Sequence, residues 1–234
     1  MNGMIIFIGE SFRLGGQGTR IRGTNESYDE QMKACNSHIN FIEHIIKKFQ
    51  LNSVSVFVSS YNTQFDNNLI SVYNKYLSGY KLQNDVIGLN NLFHDSINNI
   101  KNIQEYDFIL YIRIDLFLKQ HFFDIFNPKI NNILFPTICW KCDSKVQNNP
   151  RVNDMMLFIP KQYYKYIKNI IIGHYTWHDL IKNTDLTYDN LDTMINTYHD
   201  SDSFKDFNSL YYIVNRKESK IWHSEGHIFD KYNF

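Results

Sequence analysis

A charge imbalance is missing from this sequence: 24 Lys and Arg face 24 Asp and Glu over 234 residues. Without a global basic field, nucleic acid is not expected as a partner. Long apolar runs are missing too. Runs such as Ile109 to Ile112 and Ile170 to Ile172 fall far short of the roughly 20 residues that a membrane helix requires. The opening MNGMIIFIGESFR has no basic segment before its apolar run, so a strand is expected there and not a signal peptide. Cysteine is scarce, at three residues. With no secretion signal, that scarcity points to a reducing compartment and a cytoplasmic location. Cys139 and Cys142 form a C-x-x-C, but with only Cys35 left over a four-cysteine zinc site is impossible. No internal repeat and no linker divides the chain, so one domain over residues 1–234 is expected.

Aromatic residues, by contrast, are abundant, at 16% with 18 Phe and 16 Tyr. A chain of this length and composition buries a large core. Met4–Ile8 and Val54–Val58 read as strands, and Asn25–Phe49 as a helix capped by Ser27 and Glu30. On that helix Met32, Cys35, His38, Ile39, Ile42, Ile45, Ile46 and Phe49 recur at helical spacing, while His38 and His44 read as surface or helix-face residues and not as ligands. Further helices are expected over Phe65–Tyr80, Asn91–Ile103, Phe122–Phe126, Lys161–Ile172, Trp177–Lys182 and Leu191–His199. Further strands are expected over Val86–Leu89, Phe108–Ile112, Asn132–Ile138 and Val152–Pro160. Strands alternating with helices predict an α/β fold, a mostly parallel central sheet with helices on both faces.

The most informative stretch is YDFILYIRIDLFL, Tyr106 to Leu118. An apolar run typical of a strand buried on both faces is interrupted by Arg113 and Asp115. Two residues apart on a strand, they point to the same side. In open α/β sheets ligands sit beyond the carboxyl ends of the strands, so the pair either faces a cleft or closes the strand end as a salt bridge. A second signal follows the first strand. Gly9 and Glu10 lead into SFRLGGQGTRIRG, where Gly15, Gly16, Gly18 and Gly23 let backbone approach a ligand and Arg13, Arg20 and Arg22 add positive charge. Such a loop suits a phosphate or nucleotide, although it is neither a G-x-G-x-x-G fingerprint nor a P-loop; a plain surface loop is the alternative. Ser60 ends the second strand at the same sheet edge.

Taken together and in order, GESFR after the first strand, SVFVSSY, YDFILYIRIDLFL and RVNDMMLFIPKQYY resemble the GT-A-type glycosyltransferases. The likeness is to glycosyltransferase-like proteins of large DNA viruses and some bacteria and algae, and spans most of residues 4–216. The resemblance implies a GT-A-like (Rossmann-like) fold and transfer of a sugar, of hexosyl type, from a nucleotide-sugar donor to a glycan or glycoprotein acceptor. If the protein is viral, the location it implies is the host cytoplasm. The family carries a D-x-D at the end of a central strand, whose acids hold Mn²⁺ or Mg²⁺ on the diphosphate. Here the triplet is Arg113–Ile114–Asp115, so Asp115 matches the second acid and Arg113 departs from the first. One carboxylate can still hold a metal, and Arg113 can instead neutralise the diphosphate.

The resemblance further implies a donor site built from Gly9, Glu10, Arg13, Gly16, Arg20, Arg22, Ser60, Arg113 and Asn153, with Asn153–Asp154 as a polar pair at the donor sugar. An inverting reaction also needs a carboxylate base, for which Asp200 and Asp202 in HDSD are the candidates alongside Asp154; a solvated acidic turn is the other reading of HDSD. His223, in register with Glu225 and His227, is a candidate further metal ligand; a tail folded over the core is the alternative. Trp140, Trp177 and Trp222 suit either sugar stacking or the core. Two other classes stay open: a non-catalytic nucleotide-sugar-binding protein, and a metal-dependent phosphohydrolase, which needs several acids near Asp115.

Overall fold

A computed structural model describes residues 1–15, 21–137, 152–173, 176–195 and 209–215. The apolar runs form strands where the sequence expects them. Strand β1 (Asn2–Ile8) leads into a two-residue ribbon, β2 (Arg13–Leu14) with β3 (Ile21–Arg22), and then helix α1 (Asn25–Phe49). Strand β4 (Ser53–Tyr61), helix α2 (Asp66–Tyr73), strand β5 (Leu77–Gln83) and helix α3 (Leu89–Asn99) follow. Next come β6 (Phe108–Arg113), β7 (Leu116–Leu118), α4 (Gln120–Ile125), β8 (Ile133–Thr137) and β9 (Met156–Pro160). The helix Thr176–Asn183 and strands β10 (Leu191–Ile195) and β11 (Tyr211–Ile213) complete the described α-helices and strands.

Seven strands make the central sheet in the order β10-β8-β9-β6-β1-β4-β5. β1 runs parallel to both β4 and β6, β4 to β5, and β8 to β10, while β9 is antiparallel to β6 and β8. The sheet is thus mixed but mostly parallel. Because side chains alternate along a strand, β1 feeds two cores at once. Ile5 and Phe7 pack with Phe41, Ile42 and Ile45 of α1 and Leu69 and Tyr73 of α2. Met4, Ile6 and Ile8 pack with Leu92, Phe93 and Ile97 of α3. Helices therefore cover both faces. The chain leaves β1 toward β4 and β5, then returns to β6 on the other side of β1. This reversal of strand order is where an open α/β sheet offers a crevice at the carboxyl ends of its strands.

Several expectations need correction. The helix expected over Phe65–Tyr80 stops at Tyr73, and Leu77 onward is the edge strand β5. None of the β5 residues is fully buried, so its spacing mimicked a helix. Val86–Leu89 is not a strand: Gly88, at φ +80°, opens α3. Residues 191–195 of the expected helix Leu191–His199 form β10, whose pairing with β8 overrides a spacing that suits either element. The helix expected over Lys161–Ile172 is a 3₁₀ helix that ends at Asn169. The Ser27–Glu30 capping box does not form, because Ser27 Oγ donates instead to the carbonyls of Phe12 and Thr24. His38 is fully buried.

Candidate functional site

At the carboxyl end of β6, Asp115 is fully buried among guanidinium groups. Arg113 donates from Nε to Asp115 Oδ1 at 3.0 Å and from Nη2 to Oδ2 at 2.7 Å. Arg13 Nη2 lies 2.6 Å from the same Oδ2. The fork-to-carboxylate geometry is the strong form of this pairing. Two more carboxylates stand further out: Glu10 Oε2 is 3.5 Å from Arg13 Nη1, and Asp154 Oδ1 is 3.7 Å from Arg113 Nη1. Burial works against the charge of Arg113, but Asp115 and Asp154 outweigh it and raise its pKa above the ordinary value. The guanidinium stays charged.

Backbone geometry brings these groups together. Gly9, at φ +127°, ends β1 in a conformation that side-chain-bearing residues rarely adopt. Its N–H donates to the Ser59 carbonyl, and its own carbonyl accepts from Ser60 Oγ. Ser60 Oγ also meets Ser11 Oγ at 2.8 Å, so the loop after β1 is fastened to the end of β4. Arg22 lies opposite Arg13 in the β2–β3 ribbon, and its guanidinium stacks over Tyr61, 4.7 Å from the ring centroid. Arg22 Nη1 is buried without a hydrogen-bond partner among the described residues. Burial raises the Tyr61 pKa, and the Glu10 charge adds to the effect.

The structure thus brings together Gly9, Glu10, Arg13, Arg22, Ser60, Arg113, Asp115 and Asp154. Asn153 is adjacent but turned inward: its amide nitrogen donates to Thr137 Oγ1 and Tyr211 Oη, and it is buried. That side chain ties β8 to β11 and leaves its neighbour Asp154, 26% exposed, as the accessible member of the pair. Gly16, Arg20, Asp200, Asp202 and His223 lie outside the described residues, as do Cys139, Cys142, Trp140 and Trp222. Trp177 is a core residue against Phe135.

Sequence reasoning missed a polar row on α1. Gln31 Nε2 donates to the Ile114 carbonyl at 2.8 Å, and its Oε1 accepts from the Phe12 N–H at 3.1 Å. One amide therefore ties the loop carrying Arg13 to the turn carrying Asp115. Phe12 needs that support, because it sits at φ +49° without being glycine. His38 Nε2 meets the Leu116 carbonyl at 2.6 Å, and Nδ1 meets the Tyr73 hydroxyl at 2.7 Å. A carbonyl only accepts, so Nε2 carries the proton. Burial depresses the His38 pKa to about 4, which keeps the ring neutral. Ser37 Oγ accepts from the Leu118 N–H. The signal was present: Ser27, Gln31 and His38 fall in the same i, i+4, i+7 stripe as Cys35, Ile42 and Ile45, and buried polar residues are the informative ones.

The donor set at Asp115 does not fit a divalent cation. Both carboxylate oxygens are engaged by guanidinium, and a doubly charged ion about 4 Å from one guanidinium would be repelled by roughly 8 kcal/mol at an effective dielectric near 20. The arrangement can instead offer guanidinium donors to an anion.

No family model matches the sequence, and neither does any curated protein. Among solved structures, the chain is similar to a Drosophila galactosyltransferase 7 mutant in complex with manganese, UDP-Gal and xylobiose, at 10% identity and TM-score 0.44, covering 92% of this chain and 71% of that one. It is similar to the inositol-1-phosphate CTP transferase of T. maritima at 11% identity and TM-score 0.46, covering 94% and 93%. It is also similar to the galactosyltransferase LgtC with donor and acceptor sugar analogs, at 10% identity and TM-score 0.38, covering 82% and 73%. Identities and TM-scores this low establish neither family nor activity.

Proposed function

We propose that this chain is a glycosyltransferase of hexosyl type, acting as a single GT-A-like unit over residues 1–234. It moves a sugar from a nucleotide-sugar donor to a glycan or glycoprotein acceptor in the cytoplasm. The observation that carries the reading is the buried Arg13–Asp115–Arg113 cluster at the carboxyl ends of β1 and β6, where the strand order reverses. Sugar transfer leaves a nucleoside diphosphate whose growing negative charge needs fixed positive groups. Arg113 and Arg22 supply donors toward it, and Gly9, Glu10 and Ser60 shape the loop that receives it. Asp154 is the exposed carboxylate at this edge and is our candidate to take or relay a proton. Asp200 and Asp202 are proposed for the acceptor side, with Gly16 and Arg20 at the donor. The metal that the resemblance implies, with His223 as a further ligand, finds no suitable donor set at Asp115.

One observation favours a second reading. Asp115 is consumed by two arginines, so the chain could bind a sugar nucleotide without turning it over. The phosphohydrolase reading lacks a metal-holding group: among the described residues no set of three or more His, Cys, Asp or Glu could hold a metal ion.

The test is a melting-temperature screen against UDP-, GDP-, dTDP- and CMP-sugars, followed by an assay for nucleotide release. A ligand at a hundred times its dissociation constant adds about 2.7 kcal/mol of apparent stability. A shift with one nucleotide class and release of its nucleotide is the expected result. A shift without release selects the binding-protein reading, and no shift with any donor sinks both.

A further inference from the structure

We infer that this cluster takes a diphosphate on its guanidinium groups without a divalent cation, and that Glu10 and Asp154 are the carboxylates the incoming anion displaces. The inference rests on the nucleotide-sugar reading of the site. Three guanidiniums, of Arg13, Arg22 and Arg113, share this strand end with three carboxylates, of Glu10, Asp115 and Asp154. The distances divide the carboxylates into two kinds. Asp115 holds its arginines at 2.6 to 3.0 Å, at charge-assisted hydrogen-bond length, and is fully buried. Glu10 and Asp154 stand at 3.5 and 3.7 Å from Arg13 and Arg113, beyond good hydrogen-bond length to these guanidiniums, with side chains 11% and 26% exposed.

An entering anion therefore exchanges with the outer pair and leaves the inner one in place. Asp115 then acts as a positioning residue that fixes the planes of Arg13 and Arg113, the second of which directs Nη1 toward Asp154. Nη1 of Arg22, buried and without a hydrogen-bond partner among the described residues, offers a further donor at the same edge. Fixed guanidinium forks match phosphate oxygens bidentately, as an ammonium does not.

The two accounts of the site predict opposite signs for the same substitutions. Were Glu10 or Asp154 a metal ligand, Glu10→Gln or Asp154→Asn would weaken metal-dependent binding. As displaced counter-ions, they compete with the ligand, and neutralising either one tightens binding by about twofold to fivefold, the equivalent of one loose ion pair. Both variants leave the Asp115 pairs intact, so the fold is kept, as an unchanged melting curve will verify.

The experiment is calorimetric titration of the full chain with inorganic pyrophosphate and with UDP, in EDTA and in Mn²⁺, for the native protein and both variants. We expect binding in EDTA, within about twofold of that in Mn²⁺, and tighter binding in each variant. Binding only with Mn²⁺, weaker binding in either variant, or no binding under any condition overturns the inference. Its failure is separable from that of the proposed function. Sugar transfer that requires Mn²⁺ refutes the inference and keeps the transferase, whereas metal-free pyrophosphate binding without any donor turnover does the reverse.

Discussion

The two ends of the β1–β6 ribbon carry ion pairs of opposite character. At the amino end the Met1 ammonium lies 4.0 Å from Asp107, with side chains 30% and 44% exposed. At the carboxyl end Asp115 is buried between Arg13 and Arg113 at less than 3 Å from the nearest nitrogen of each. The first pair is screened by water and holds little. The second required removing charges from water, which a stable fold does not need: well-packed apolar residues do as well or better. Where one strand pair closes one end with a loose surface pair and the other with a buried cluster, the difference marks the end that handles charge.

Predictions that break this comparison can be ranked by size. Asp115→Ala removes the close, buried partner of two guanidiniums and should cost about 3–5 kcal/mol in urea unfolding; a loss below about 1 kcal/mol would place the cluster in water. Next is pH. His38 has a folded pKa near 4 against an ordinary 6.5, so the folded state disfavours its proton. Its contribution is complete above pH 6.5 and is lost as pH falls from there toward 4, by about 3 kcal/mol. The His38→Gln variant should lose that component of the acid slope in denaturation curves measured across this window. Gln31→Leu strands the Ile114 carbonyl and the Phe12 N–H, for about 1–3 kcal/mol, and should weaken ligand binding along with stability, because it loosens both loops. Smallest is Asp107→Asn at the amino end, at no more than about 1 kcal/mol by the same measurement.

The same contrast separates what was legible in the sequence from what was not. β1, α1, β4 and β6 were readable because strands buried on both faces are continuous apolar runs and α1 is long. The edges were not. β5 and β10 are half-buried, and their spacing also fits a helix; only the neighbouring strand decides. In the site, Arg113 and Asp115 were readable as charges inside an apolar run. Their closure by Arg13, 100 residues earlier in sequence, was not, because it depends on Gly9 and Phe12 both taking positive φ. Gln31, and the burial of His38 against a backbone partner, were overlooked for a different reason: a polar residue on an apolar helix stripe needs a backbone partner from elsewhere in the chain, here Ile114, Phe12 and Leu116.

The central claim is that the charged cluster exists for a ligand and not for the fold. The triple variant Arg13→Met, Asp115→Leu, Arg113→Met tests it most directly, because it replaces the inner charges together with apolar groups of similar reach. The measurement is the melting shift produced by the nucleotide-sugar class that stabilises the native protein. We predict that the variant melts at or above the native temperature and that the ligand shift disappears. A shift of native size in the folded variant would contradict the account and leave the cluster as a structural pair.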